Sequence, residues 1–162
     1  MKESALTEPL VDTVELKALV TDPCPVFTID LNTVQVADLA FSEPFQLRVQ
    51  RNDFIHALIA WFDIDFQACH KPIRFSTGPH TKYTHWKQTV FYLREVLTVE
   101  EGEHVRGFLS NKPNNNHLST IQQTFLQTTK GFSSLFFHIR QPPTDPCAPS
   151  YFYSTRIRLA SP

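Results

Sequence analysis

The chain has 162 residues, 15 basic against 16 acidic, a formal net charge of −1, and 41% hydrophobic with 12% aromatic residues. That is enough for one globular domain with its own core, and the scattered Lys and Arg leave no basic block for direct nucleic-acid binding. Met1-Lys2-Glu3-Ser4 opens on polar sequence and no segment nears the roughly 18 apolar residues of a membrane span, so no membrane partner is expected. Cys24, Cys69 and Cys147 include no CxxC pair. Neither a disulfide framework nor a zinc site is suggested, and a reducing, intracellular setting is the expectation.

In chain order, Pro9 ends any short helix at about Glu8, and Val14, Leu16 and Leu19 fit a short helix or turn around Glu15 to Leu19. Asp22-Pro23-Cys24-Pro25 enforces an extended passage. Val26, Phe27 and Ile29 read as a first strand ended by Asp30-Leu31-Asn32, with Val34 and Val36 opening a second short extended piece. Phe45, Leu47 and Val49 alternate with Gln46, Arg48 and Gln50, which marks a strand with one buried and one wet face. Phe54 to Phe66 is the strongest strand signal. Straight alternation puts Phe54, Leu58, Ala60, Phe62, Ile64 and Phe66 on one face, and Ile55, Ala57, Ile59, Trp61, Asp63 and Asp65 on the other. Both faces are apolar in the first half, so the strand is expected to be central. Asp63 and Asp65 are read as its solvated face, in preference to a cation or arginine site.

Arg74-Phe75-Ser76-Thr77 is a strand leading into Gly78-Pro79, and Trp86 to Leu93 is the next. Between them Thr84, His85 and Trp86 stand at a strand mouth, where a rigid sheet presents side chains to another surface. Two readings stay open on spacing alone. In one, Trp86 plugs the barrel end, His85 donates to a backbone carbonyl and Thr84 bonds its own turn. In the other, His85 is a polar contact for a reacting or recognised group. His80 and His85 have no adjacent Cys, Asp or Glu, so no metal is expected. Gly102 serves a tight turn in Glu100-Glu101-Gly102-Glu103. Val105, Gly107 and Leu109 then alternate with His104, Arg106 and Phe108, to a strand end near Asn111-Lys112-Pro113-Asn114. The succession of short strands without a helical period predicts a mainly β fold, an antiparallel barrel with little helix.

The string Tyr83-Thr84-His85-Trp86-Lys87-Gln88-Thr89-Val90-Phe91 resembles the threonine-histidine-tryptophan loop of the type I protein arginine methyltransferases. Glu8-Pro9-Leu10-Val11-Asp12, Arg51-Asn52-Asp53 with His56-Ala57-Leu58, and Phe75-Ser76-Thr77-Gly78-Pro79 agree in order and spacing. The resemblance runs from about Met1 to Asn114 and covers the family's C-terminal β-barrel domain. It implies three parts: 1–22 as a remnant of the dimerisation arm with a lead-in segment, 23–114 as the barrel, and 115–162 as a divergent tail. From Asn115 the family's closing turn is not followed, and Thr, Ser and Pro accumulate. An alternative exon, intron read-through and a shifted reading frame are equally compatible with that change. Ile121 to Leu126 and Phe132 to Ile139 read as strands that pair. Gln141 to Ser150 reads as a Pro-rich connector, and Tyr151 to Leu159 as an alternating strand.

The resemblance also implies function. The family transfers methyl groups from S-adenosylmethionine to arginine guanidinium nitrogens of proteins such as histones, in cytoplasm and nucleus. Cofactor and catalytic glutamates belong to an N-terminal domain that these residues do not resemble, and Gly78, Gly102, Gly107 and Gly131 form no Gly-rich cofactor turn. No cofactor is therefore expected to bind this chain, which is expected to be inactive alone. By resemblance His85 is a supporting catalytic residue, while Thr84 and Trp86 bind substrate, with Trp86 walling the arginine channel. The expected partners are arginine-containing protein substrates and an N-terminal methyltransferase domain or full-length relative. The competing function is a non-enzymatic module that binds or modulates such a relative.

Overall fold

A computed structural model describes residues 9–67, 69–113, 120–128, 131–139 and 154–160, with side chains described as far as Asn111. The helix end near Glu8, Cys147 and the connector 141–150 lie outside the described residues. The strands are β1 (Leu10–Asp12), β2 (Cys24–Asp30), β3 (Phe41–Arg48), β4 (Asp53–Phe66), β5 (Ile73–Ser76), β6 (Gln88–Val99), β7 (His104–Pro113), β8 (Thr120–Thr128), β9 (Gly131–Ile139) and β10 (Ser154–Ala160). All described pairings between them are antiparallel. One sheet runs β1-β6-β4-β10-β2 with β5 added on β4, and the other runs β3-β7-β8-β9. The sheets meet where β2 lies against β3 and β6 against β9, with a bridge between Thr21 and Val49. This is the expected mainly β, barrel-type architecture. The only helix among the described residues is two short 3₁₀ turns, Leu16–Ala18 and Val36–Leu39.

The second of these corrects the extended piece expected at Val34 and Val36. The Asp38 carboxylate accepts from the Gln35 N–H at 2.9 Å. A side-chain cap of this kind satisfies a backbone donor that an extended chain would otherwise have to pair with a neighbouring strand.

The main core lies between the sheets and includes Leu47, Val49, Ile55, Leu58, Phe91, Leu93, Val105 and Leu109. Each such side chain contributes about 1.5–3 kcal/mol by leaving water. A smaller cluster on the outer face of β4, Ile59 with Trp61, is covered by Val14 and Leu19 of the lead-in segment. The strand is thus covered on both sides in its middle, as its sequence suggests, but the facing differs from straight alternation. Register against β6 jumps between Ile55↔Leu97 and Ala57↔Tyr92. That irregularity shifts the phase of the strand. Ile55 joins Leu58 in the main core, whereas Phe54 is 55% exposed.

The second half of β4 departs from expectation more strongly. Asp63 is 1% exposed and Asp65 has a side chain 11% exposed, so neither is a solvated face. They are covered because β4 is paired on both sides there, with β5 and with β10.

The irregularity is tested by a pair of truncations. Ile55→Ala should lower unfolding free energy by about 2–5 kcal/mol, and Phe54→Ala should change it by no more than about 0.5 kcal/mol, both read from urea midpoints. Unbroken alternation, with both faces covered, predicts a large loss for both.

Candidate functional site

The site is built on the second half of β4 and its short neighbour β5. Arg74 lies across from Asp65, and Ser76 across from Asp63. The Arg74 guanidinium donates to Asp63 at 2.8 Å and approaches Asp65 at 3.2 Å. Asp63 also accepts from the Ser76 hydroxyl. The Asp63 hydrogen bond holds Arg74 more firmly protonated than an ordinary arginine. A buried carboxylate without such partners would cost several kcal/mol. The pair therefore fixes β5 against β4.

From that edge the chain enters a loop anchored at its base. Thr77, 1% exposed, donates its N–H to the Phe62 carbonyl at 3.0 Å. Its hydroxyl accepts from the Phe62 N–H at 3.2 Å. The Gly78 N–H donates to the Ser76 hydroxyl at 3.1 Å, and the Thr81 hydroxyl donates to the carbonyls of Ser76 and Gly78 at 2.9 Å. Gly78 has no room for a side chain: a Cβ there would lie 2.6 Å from both the Trp61 indole nitrogen and the His80 ring. That is a packing demand for glycine, legible only in three dimensions.

Thr84 to Lys87 form a tight turn closed by the Lys87 N–H donating to the Thr84 carbonyl at 3.1 Å. Lys87 has φ 54, the left-handed region that costs a non-glycine residue about 1–2 kcal/mol. This explains why extended structure begins at Gln88 and not at Trp86, as the apolar pattern suggested. The turn places His85 and Trp86 at its two central positions and aims both outward. Their rings lie 3.9 Å apart at 34°, and the Trp86 indole meets Phe62 edge-on at 5.9 Å and Phe75 at 6.0 Å. Trp86 is nevertheless 49% exposed and does not plug the barrel. Thr84 carries a buried hydroxyl with no hydrogen-bond partner.

The three residues singled out in the sequence are therefore brought together on one turn. Sequence reasoning missed their supports: Asp63 with Arg74 and Ser76, Thr77, Gly78, and the buried Gln88. The alternation of Asp63 and Asp65 with Arg74 shortly downstream was the available signal. Beside the turn lies an open groove of about 450 Å³ lined by Arg74, Phe75, Ser76, His80, Thr81, Lys82, Tyr83 and Thr84. It does not fit S-adenosylmethionine. Among the described residues no carboxylate lines it to accept ribose hydroxyls, Lys82 brings a like charge toward a sulfonium ion, and Gly78 is pressed against Trp61 and His80. Among the described residues no group of three or more His, Cys, Asp or Glu is placed to hold a metal.

Known proteins share this fold and sequence. Residues 1–126 match a family profile described as the arginine methyltransferase oligomerization subdomain. The chain is 57% identical over 113 residues to protein arginine N-methyltransferase 1 of Schizosaccharomyces pombe, covering 70% of this chain and 33% of that protein. It is 46% identical over 131 residues to protein arginine N-methyltransferase 8-B of Danio rerio, covering 81% and 31%. The chain thus spans about a third of the length of these curated relatives. The Trypanosoma brucei PRMT1 enzyme-prozyme heterotetrameric complex with AdoHcy contains a chain matching with TM-score 0.80 at 34% identity, over 86% of this chain and 46% of that one. Protein arginine methyltransferase 10 of Arabidopsis thaliana, crystallised in a uniquely open conformation, matches in fold with TM-score 0.68 at 18% identity, over 83% and 42%.

Gly78→Ala forces the Trp61 indole or the His80 ring to move and should cost about 1–3 kcal/mol of stability, measured by chemical denaturation. An unchanged midpoint would show that this corner is loosely packed.

Proposed function

Because the chain belongs to the arginine methyltransferase family, matching its oligomerization subdomain over residues 1–126, we propose that it acts as the substrate-side barrel of an S-adenosylmethionine-dependent protein arginine N-methyltransferase. The observation that carries this reading is the outward turn. His85 and Trp86 form an exposed aromatic ledge on a rigid base, and the unpartnered Thr84 hydroxyl is set beside it. The half-uncovered Trp86 indole, with the exposed His85 ring against it, suits contact with a second surface.

An arginine guanidinium is charged at all physiological pH and offers five donors in a planar fork. Orienting it for methyl transfer requires carboxylates, and among the described residues none lines the groove beside the ledge. In this reading the acids and the methyl donor are held by a cofactor-binding domain, and the barrel closes the arginine channel from the other side. Trp86 supplies a flat wall for the guanidinium and its methylene stem. His85 pairs with an acid of the other domain and so fixes the distance between the two halves. The substrates are arginine-containing proteins such as histones, met in cytoplasm and nucleus.

A second reading rests on the family description itself. An oligomerization subdomain with an exposed ledge also suits a non-enzymatic module that binds a full-length relative and changes its activity.

Two outcomes test the first reading. The 162-residue chain alone should show no calorimetric heat with S-adenosylmethionine and no label transfer to an arginine peptide. In a chimera joining the cofactor-binding domain of the Schizosaccharomyces pombe relative to this barrel, His85→Ala and Trp86→Ala should each lower kcat/KM by roughly 10- to 100-fold through misalignment of the arginine. Wild-type rates in both variants would remove the turn from the reaction.

A further inference from the structure

We propose that Gln88 is a positioning residue whose side-chain amide ties the base of the Thr77–Gln88 loop to the lead-in segment, and so sets where the His85–Trp86 turn stands. Gln88 is 6% exposed. Its Nε2 donates to the Thr77 carbonyl at 2.6 Å, and its Oε1 accepts from the Val14 N–H at 2.8 Å. Only one orientation of the amide satisfies both, since a carbonyl needs a donor and an N–H needs an acceptor.

Both ends of one loop and a segment 74 residues away in sequence meet at this one group. Thr77 is itself held on β4 by its backbone and hydroxyl contacts with Phe62. Val14 packs on the Ile59–Trp61 cluster. Gln88 begins β6, where its partner in β1 is Asp12, and it directly follows the left-handed Lys87 that closes the motif turn. Thr77 and Gln88 are thus the two ends of a surface loop drawn together at its neck. An amide at the neck of such a loop fixes the angle at which the loop leaves the sheet. The bond to Thr77 is buried and that to Val14 partly so, which makes losing either one costly. A displacement of the lead-in segment at Val14 is therefore transmitted to the turn through this buried side chain, beside the β1–β6 pairing and the Lys87–Asp12 ion pair at 3.6 Å on the surface. Methyl transfer depends on this through the reading proposed above, whereas the clamp itself does not.

The test uses the full chain. Gln88→Met keeps the volume and removes both hydrogen bonds. In this variant the Val14 and Lys87 amides should exchange about tenfold faster or more, and the resonance of 5-fluorotryptophan at position 86, assigned with Trp86→Phe, should broaden. Leu58 and Phe91 amides should keep their rates. Unchanged exchange at Val14 and Lys87 would overturn the proposal. So would equal acceleration at Leu58 and Phe91, which would make Gln88 a general core residue. If the variant does not fold, the wild-type chain decides: the Gln88 side-chain amide protons should exchange about tenfold slower than a free glutamine amide, and exchange at the free rate would refute the clamp. Since these readouts measure no catalysis, their failure is distinct from failure of the methyltransferase reading.

Discussion

Burial of the Asp63 carboxylate is the constraint on which this end of the barrel depends. A charged group at 1% exposure persists in a sheet only when its oxygens are occupied, and here Arg74 and Ser76 occupy them from the neighbouring strand. The requirement makes β5, a strand of four residues, adhere to the end of β4 despite offering only a short ladder. Ser76 passes the constraint onward, since its hydroxyl also receives the Gly78 N–H. The loop that follows is therefore attached to a buried charge, and not to solvent-facing backbone alone.

The opposite end of the loop is anchored by Gln88, which ties it back to Thr77 and across to Val14, so the stretch between is held at both ends by buried polar groups. Such anchoring sustains local strain, as at Lys87, that a free loop would relax. It also lets two aromatic rings project outward without collapsing onto the barrel. His85 and Trp86 stack on each other, with Phe62 and Phe75 beneath the indole, which gives the ledge a preferred orientation while leaving half of Trp86 uncovered. A rigid, half-dry surface of this kind limits the entropy lost when a second domain covers it.

Much of this was legible in the sequence, and what was not has identifiable causes. Alternation at Phe45, Leu47 and Val49 and the length of Phe54–Phe66 revealed the strands, because period two is a direct consequence of the pleat. The motif string singled out residues that the structure places on one turn, and the fold and family agree with that resemblance. Phe54 was grouped with Leu58 and Ile55 with Ile59 because a register irregularity shifts phase without a Gly or Pro to announce it. Asp63 and Asp65 were read as solvated because carboxylates on a strand usually are, and the pairing of β4 on both sides depends on residues far along the chain, 154–160. Asp38 turned an apparent strand at Val34 and Val36 into a capped 3₁₀ turn by a contact local in sequence but absent from the hydrophobic pattern. Gln88 stood in the sequence only within the motif string and the strand expected over Trp86 to Leu93, and its partner Val14 is brought to it by the fold alone.

The account rests on the turn being a surface prepared for another domain. Iodide quenching of Trp86, resolved from the buried Trp61 with a Trp61→Phe chain, measures this directly before and after mixing with the separately expressed cofactor-binding domain of the Schizosaccharomyces pombe relative. The account predicts that Trp86 is readily quenched in the barrel alone and becomes shielded on mixing. Binding of the two domains with Trp86 still fully quenchable would contradict it, as would an indole already shielded in the free barrel.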